Sequence, residues 1–263
     1  MPLKNISSSQ KVATSTTQLQ DSYNRLYQEW LGEHRNLEQQ SKLFDALNVG
    51  DGKLLDVACG LGLLMEIAES KGTESYGIDI SSVAIRRGKA ANPDFKLVEG
   101  NGEFLPWQDE TFEYVTCLGS LEHFVSPANG VREISRVLKS SGRAALMLPN
   151  SHNIMAIYNV YKTGGILPEL QDYERFGTRL EWQTLIEENG LKVLSVQKYN
   201  VGFSRLFKKG RESFWYIYNI IFRLFGGKWI PLNLSFALIY ICEKKQIRIF
   251  PVGSMESPDE QNG

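Results

Sequence analysis

The chain has 263 residues, 42% apolar and 22% charged, with 29 basic and 30 acidic side chains and a net charge of −1. That length and apolar content suffice for one sizeable core, in one elaborated domain or two small ones. The charge balance excludes the broadly basic footprint of a nucleic-acid binder, which leaves small-molecule chemistry as the expectation.

Residues 1–20 are polar and read as a disordered N-terminus. The opening "MPLKNISSSQKVATSTTQ" lacks the apolar core of a signal peptide. From Asp21 the pattern turns helical, with Tyr23, Leu26, Tyr27, Trp30 and Leu31 recurring on one face. His34 reads as a surface residue of that helix. "KLLDVA" predicts a strand, 61–71 a helix and "ESYGIDI" a second strand, after which Ser81 can cap a helix that ends before Asn92-Pro93. "FKLVEG" and "FEYVTCLGS" predict two more strands. Ser126-Pro127 predicts a capped helix to about Leu138, and "GRAALMLP" a fifth strand.

Continuously apolar strands separated by helices indicate a parallel sheet covered on both faces, a doubly wound α/β domain spanning 21–245. After Asn150 the alternation breaks. Residues 151–177 hold "IMAIYNVY", Gly164-Gly165 and Pro168, a composition suited to a segment laid over a pocket. At "TRLE" a capping box from Thr178 to Glu181 reopens the regular fold, a helix stops at Asn189-Gly190, and "LKVLSVQKY" and "LSFALIYICEKK" predict the last strands. Residues 203–231 are an aromatic-rich insertion between them, and 246–263 read as a flexible tail. Cys59, Cys117 and Cys242 lie far apart in or beside apolar runs, without metal or disulfide spacing. That usage suits a reducing compartment, so the protein is expected to be cytoplasmic.

"LLDVACGLGLL", 54–64, is an apolar strand that stops at Asp56 and crosses two glycines. In such a sheet, ligands sit outside the carboxyl ends of the strands, and a glycine turn before a helix gives room for close backbone approach. A dinucleotide would favour G-x-G-x-x-G, but the third position is Met65. Asp79 at the end of the next strand can accept hydrogen bonds from both hydroxyls of a ribose. An adenosine without a pyrophosphate therefore fits better than a nicotinamide dinucleotide.

The sequence resembles the class I S-adenosylmethionine-dependent methyltransferases, especially the branch with ubiquinone and menaquinone C-methyltransferases and small-molecule enzymes. The resemblance rests on "LLDVACGLG" at 54–62, "YGIDIS" at 76–81, "VEGNGEFLPWQDETFEYVTCLGSLEHF" at 98–124 and "REISRVLKSSGRAALMLPN" at 132–150, in that order. It implies a Rossmann-like sheet of seven strands with the last antiparallel, an N-terminal helix and cap insertions. It also implies S-adenosyl-L-methionine as cofactor. Asp56, Ala58, Gly60 and Gly62 would line its methionine end, and Asp79 would bind the ribose with Ile80 on the adenine. Asn101 and Gly102 would meet the adenine edge, and Leu118 with Ser120 would border the sulfonium. Two positions depart from the family pattern: Ala58 replaces the usual first glycine, and Asn101 stands where an aspartate is common.

A sulfonium is already activated, so alignment of the nucleophile and exclusion of water are the main requirements. A base is needed only if the acceptor carries a proton to lose. His123 and His152 follow the fourth and fifth strands and are the candidates, with Glu122 behind them. Tyr23 and Tyr27 either close over the cofactor or pack in the core. "SFWYIYNIIFRLFGG", 213–227, is apolar around nearly the whole helix and preceded by Lys208, Lys209 and Arg211. It is shorter than the ~20 residues of a spanning helix. It reads as a cap over the active site, a peripheral membrane contact or a homodimer interface. The expectation is methyl transfer to a small, apolar or aromatic acceptor, by O-, N- or C-methylation. The alternatives are a methyltransferase acting on a membrane-associated lipid or quinone, a non-catalytic cofactor-binding partner protein, and a dinucleotide-dependent oxidoreductase.

Overall fold

Each predicted strand core forms a strand in the computed structural model, which describes residues 15–29, 47–165, 174–200 and 229–246 together with Ala13 and Phe44. In chain order the elements are α1 (Thr16–Glu29), β1 (Lys53–Val57), α2 (Leu63–Ser70), β2 (Glu74–Asp79), α3 (Ser82–Ala91), β3 (Lys96–Glu99), β4 (Phe112–Leu118), α4 (Pro127–Val137), β5 (Leu138–Pro149), α5 (Ile154–Thr163), α6 (Arg179–Glu188), β6 (Leu191–Tyr199) and β7 (Ala237–Lys244). Among the described residues the strands make one seven-stranded sheet in the order β3-β2-β1-β4-β5-β7-β6. β7 runs antiparallel to both of its neighbours, and the other pairings are parallel.

The strand order reverses between β1 and β4, which opens a crevice at their carboxyl ends. The largest apolar cluster lies against the sheet, joining Leu55, Val57, Val115 and Leu146 with Ile134, Ile186 and Trp182 of the helices. At ~25 cal/mol per Å² of apolar surface, burial of this kind is the main force holding the layers together. The helix ends follow the local signals. Ser81 accepts from the Ala84 N–H, Ser126 from the Asn129 N–H, and both halves of the Thr178–Glu181 capping box are made.

Two boundaries differ from the sequence expectation. α1 begins at Thr16, inside the stretch expected to be disordered. Its polar residues are used in docking: Gln20 donates to the Ile80 carbonyl and to Glu99, and Asn24 accepts from the Ser81 hydroxyl and the Val83 N–H. β5 begins at Leu138 rather than Gly142, because Leu138 pairs with Phe112 across a register irregularity. Within the expected pocket cover, Asn153 caps α5 by accepting from the N–H groups of Met155 and Ala156. Pro168, Trp30, Leu31, His34, the aromatic helix 213–227 and residues 247–263 lie outside the described residues. Cys59, Cys117 and Cys242 are free and buried. No helix among the described residues is long and apolar enough to cross a membrane.

Candidate functional site

The glycine turn after β1 is built from left-handed residues: Ala58 at φ 60°, Gly60 at φ 58° and Gly62 at φ 82°. This curl aims the Gly60 N–H at Asp79 Oδ2, 2.8 Å away, while the Cys59 N–H reaches the Ile78 carbonyl at 3.0 Å. Asp79 Oδ1 accepts from the Ser81 N–H at 2.8 Å. One buried carboxylate therefore ties the turn after β1 to the end of β2. Ala58 holds a backbone conformation that costs an L side chain roughly 1–2 kcal/mol. Replacing it with glycine relieves that strain, but loosens the unfolded chain by roughly 0.5–1 kcal/mol. Ala58→Gly is expected to stabilise the protein by up to ~1 kcal/mol, read as a higher denaturant midpoint at unchanged slope.

A cavity of about 260 Å³ opens over this turn. Ala58, Asp79, Ile80, Asn101, Gly102, Ser120 and His123 line it, and α1 closes one side with Leu19, Tyr23, Leu26 and Tyr27. Six of the ten residues expected around the cofactor thus face one space. The other four do not line the cavity, each for a local reason. Asp56 is buried below the turn and accepts from the Thr116 hydroxyl at 2.7 Å. Gly60 is covered by Tyr27, whose hydroxyl would lie 2.5 Å from a Cβ at that position. A Cβ on Gly62 would meet Phe95 at 3.0 Å. Leu118 points away by strand alternation and packs with Leu47, Ala145, Phe44 and Leu54, so the next residue, Gly119, lines the cavity in its place.

Gly102 allows a close approach, since a Cβ there would lie 2.6 Å from the Phe124 ring. Asn101 caps its own turn by accepting from the Glu103 N–H at 2.9 Å. Glu103, 4% exposed, accepts from the N–H groups of Val125 and Ser126 at 2.8 and 3.0 Å. It joins the loop after β3 to the loop after β4. Glu103→Ala leaves both donors without that partner and is expected to cost about 3 kcal/mol, since hydrogen bonds to charged groups contribute roughly 1.5–3 kcal/mol each. Thermal melting checks this.

The 3₁₀ turn Leu121–His123 brings His123 to the cavity wall, beside Ser120. Tyr23 meets His123 edge to face, with centroids 6.0 Å apart. Burial raises the Tyr23 hydroxyl well above its ordinary pKa, with the Glu122 charge adding to the effect. Burial likewise pushes the Glu122 carboxyl up to about 8. Its Oε1 lies 3.7 Å from His123 Nε2, and its Oε2 is buried with no hydrogen-bond partner. Sequence reasoning ranked Glu122 last of the three base candidates. The available signal was "LEHF", in which a carboxylate precedes the histidine among buried apolar neighbours, but burial of the carboxylate is a tertiary property.

His152 is corrected by the structure. Its side chain is exposed, is absent from the cavity lining, and lies 2.8 Å from the Ser151 hydroxyl. The cause is Asn150, which donates to the carbonyls of Asn233 and Ser235 and accepts from the His152 N–H. The chain is thereby turned so that His152 sits beside Ser151 at the surface.

Comparison with known proteins agrees with this geometry. The family described as a methyltransferase domain matches residues 55–146. The demethylmenaquinone methyltransferase of Chlorobaculum tepidum is 30% identical over 122 residues, 45% of this chain and 50% of that protein. The ubiquinone biosynthesis O-methyltransferase of Pseudomonas aeruginosa strain LESB58 is 30% identical over 156 residues, 55% of this chain and 66% of that one. The chain therefore spans about half to two thirds of the length of these curated relatives. The geranyl diphosphate C-methyltransferase of Streptomyces coelicolor A3(2), solved with Mg²⁺, geranyl diphosphate and S-adenosyl-L-homocysteine, superposes with a TM-score of 0.59 over 86% of this chain and 98% of that one. At 14% identity that likeness is one of fold. Residues 55–146 thus match a methyltransferase domain, and the seven-stranded sheet has the Rossmann-like fold of solved S-adenosylmethionine-dependent methyltransferases.

Proposed function

We propose that the protein transfers a methyl group from S-adenosyl-L-methionine to a small apolar or aromatic acceptor. The observation that carries this reading is Asp79, a carboxylate 5% exposed on the cavity wall beside the glycine turn. A carboxylate can accept about four hydrogen bonds, so Asp79 suits ribose hydroxyls beside the backbone N–H groups of Gly60 and Ser81 that it already binds. Ile80 and Phe124 offer apolar surface to an adenine, and the Asn101 amide offers its edge a polar group. Ala58, Gly119 and Ser120 leave a low wall for the methionine end. Asp56, Gly60 and Gly62 act through the shape of the turn, and Leu118 through core packing at the end of β4, rather than as cavity walls.

The bound cofactor supplies an activated methyl group. The chain's own residues then have to align the acceptor, keep water out and manage any proton. α1 excludes water from one side with Tyr23 and Tyr27. His123, held by Tyr23 at the cavity wall, is placed to take a proton from an acceptor hydroxyl or ammonium. The names of the relatives, which concern demethylmenaquinone and ubiquinone biosynthesis, favour a quinone-like or phenolic acceptor. Buried free cysteines suit a reducing, cytoplasmic setting.

Calorimetric titration with S-adenosyl-L-homocysteine tests the first half. Micromolar binding is expected, and a folded protein that does not bind refutes the reading. Incubation with labelled cofactor and a panel of catechols, hydroxybenzoates and demethylated quinones tests the second half. Binding without turnover on any of them would turn the reading toward a non-catalytic cofactor-binding protein.

A further inference from the structure

At the His123 wall of the cavity, and partly behind it, lies a set of ligating side chains that methyl transfer by itself does not require. Glu122 and His123 come from the 3₁₀ turn after β4, and Glu174 from the segment that leads into α6. One oxygen of each glutamate and one imidazole nitrogen lie within 4.8 Å of one another. The juxtaposition is built by Arg175. Its backbone N–H donates to the Glu122 carbonyl, and its guanidinium donates to the carbonyls of Glu122, Phe124 and Val125. These bonds fasten Glu174 beside the 3₁₀ turn. They also commit the Arg175 guanidinium to carbonyl oxygens in this structure.

Glu122 supplies an independent sign of a missing ligand. It is 4% exposed, and its Oε2 is the buried side-chain oxygen among the described residues that has no hydrogen-bond partner. Leaving a buried acceptor unmatched costs roughly 1–3 kcal/mol, and more for a charged group. Such an atom calls for a physical explanation. A cation satisfies it directly, because a carboxylate oxygen is both a hydrogen-bond acceptor and a metal ligand.

We infer that Glu122, His123 and Glu174 form a site for one divalent transition-metal ion at the acceptor end of the cavity. Nitrogen and oxygen ligands bind zinc-like ions at about 2.0–2.2 Å, so ligand atoms around a common ion lie roughly 3–4.4 Å apart. The observed spacing needs only small side-chain adjustments to reach that range. One imidazole with two carboxylates is an N/O donor set suited to manganese, iron or zinc, and it contains no soft thiolate. Three protein ligands leave coordination positions open, and the surroundings place them toward the cavity. His123 and Gly119 both line it, and a Cβ at Gly119 would come 3.8 Å from Glu122 Oε1. The open positions suit an oxygen-bearing acceptor. With the ion bound, His123 is a ligand, and orienting the acceptor oxygen becomes the task of the metal. Ion binding stands independently of the methyl-transfer reading, whereas this orienting role rests on it.

The test is calorimetric titration of tag-free, chelator-stripped full-length protein with MnCl₂ and, separately, ZnCl₂. It is run on wild type, Glu122→Gln and Glu174→Gln, each with a parallel titration of S-adenosyl-L-homocysteine. One saturable site per chain is expected in the wild type, weakened at least tenfold in each variant. The nucleoside affinity should change less than about twofold. Glu122→Gln preserves side-chain volume, and the half-buried Glu174 makes Glu174→Gln a second variant if the first melts early. No saturable site in the wild type, or wild-type metal affinity in both variants, overturns the inference. Metal binding without nucleoside binding would support the site while refuting the methyl-transfer reading.

Discussion

Asp79→Ala is expected to abolish tight binding of S-adenosyl-L-homocysteine and to destabilise the fold at the same time. The carboxylate makes two buried bonds of 2.8 Å to backbone N–H groups, one from the glycine turn and one from the entry to α3. Hydrogen bonds to a charged partner contribute roughly 1.5–3 kcal/mol each, and both donors lose that partner in the variant. The expected stability loss is therefore about 3 kcal/mol, before any ligand is added. Binding should weaken by roughly 10- to 100-fold through the lost ribose contacts, where each factor of ten is 1.4 kcal/mol. Asp79→Asn separates the two effects. Its amide oxygen can keep one N–H bond, but its NH₂ faces the other donor, so it should melt between wild type and Asp79→Ala. Calorimetry at a temperature where all three proteins are folded gives the affinities. An Asp79→Ala protein that binds as tightly as wild type would remove the ribose from this position.

Gly77→Val should destabilise the protein through packing alone. Gly77 lies in the middle of β2, between β1 and β3, and is paired with Asp56 on one side and Leu97 on the other. A Cβ there would come 2.7 Å from Cys59 Sγ, 2.8 Å from Leu97 and 2.9 Å from Met65 Sδ. These atoms belong to one buried cluster, completed by Ile85 and Phe95. Overpacking of this kind costs roughly 1–3 kcal/mol, and valine adds two further carbons to the clash, so about 3 kcal/mol is expected. For a domain of this size that lowers Tm by roughly 6–12 °C. Because Cys59 belongs to the glycine turn, the damage should spread to the cavity, and cofactor affinity should fall even where the protein remains folded. Gly77→Ala is expected to show a smaller loss in the same direction. Equal melting temperatures for wild type and Gly77→Val would mean that the cluster is looser than its contacts indicate.

The succession of strands and helices and the location of the glycine turn could be read from the chain because their causes are local. A run such as "LLDVACGLG" places an apolar strand beside a left-handed turn through nearest-neighbour sterics, and Ser81, Ser126 and Thr178 start their helices by bonding to N–H groups three residues away. Asp79 was legible for the same reason, as the last residue of a strand whose end must face the crevice. What the sequence left open depends on groups far apart in the chain. The parity of β4 at its exit turns Leu118 into the core and gives the cavity to Gly119. Anchors from the β7 side hold Asn150 and send His152 to the surface. α1 is a helix from Thr16 because its polar side chains find partners on β2, β3 and α3, a gain that composition by itself does not reveal. The meeting of Glu122, His123 and Glu174 depends on Arg175 reaching the carbonyls of another loop. The chain's local stereochemistry thus determined the strands, the helix starts and the glycine turn, while long-range pairing, hydrogen bonds and strand parity decided the order of the sheet and which side chains face the cavity.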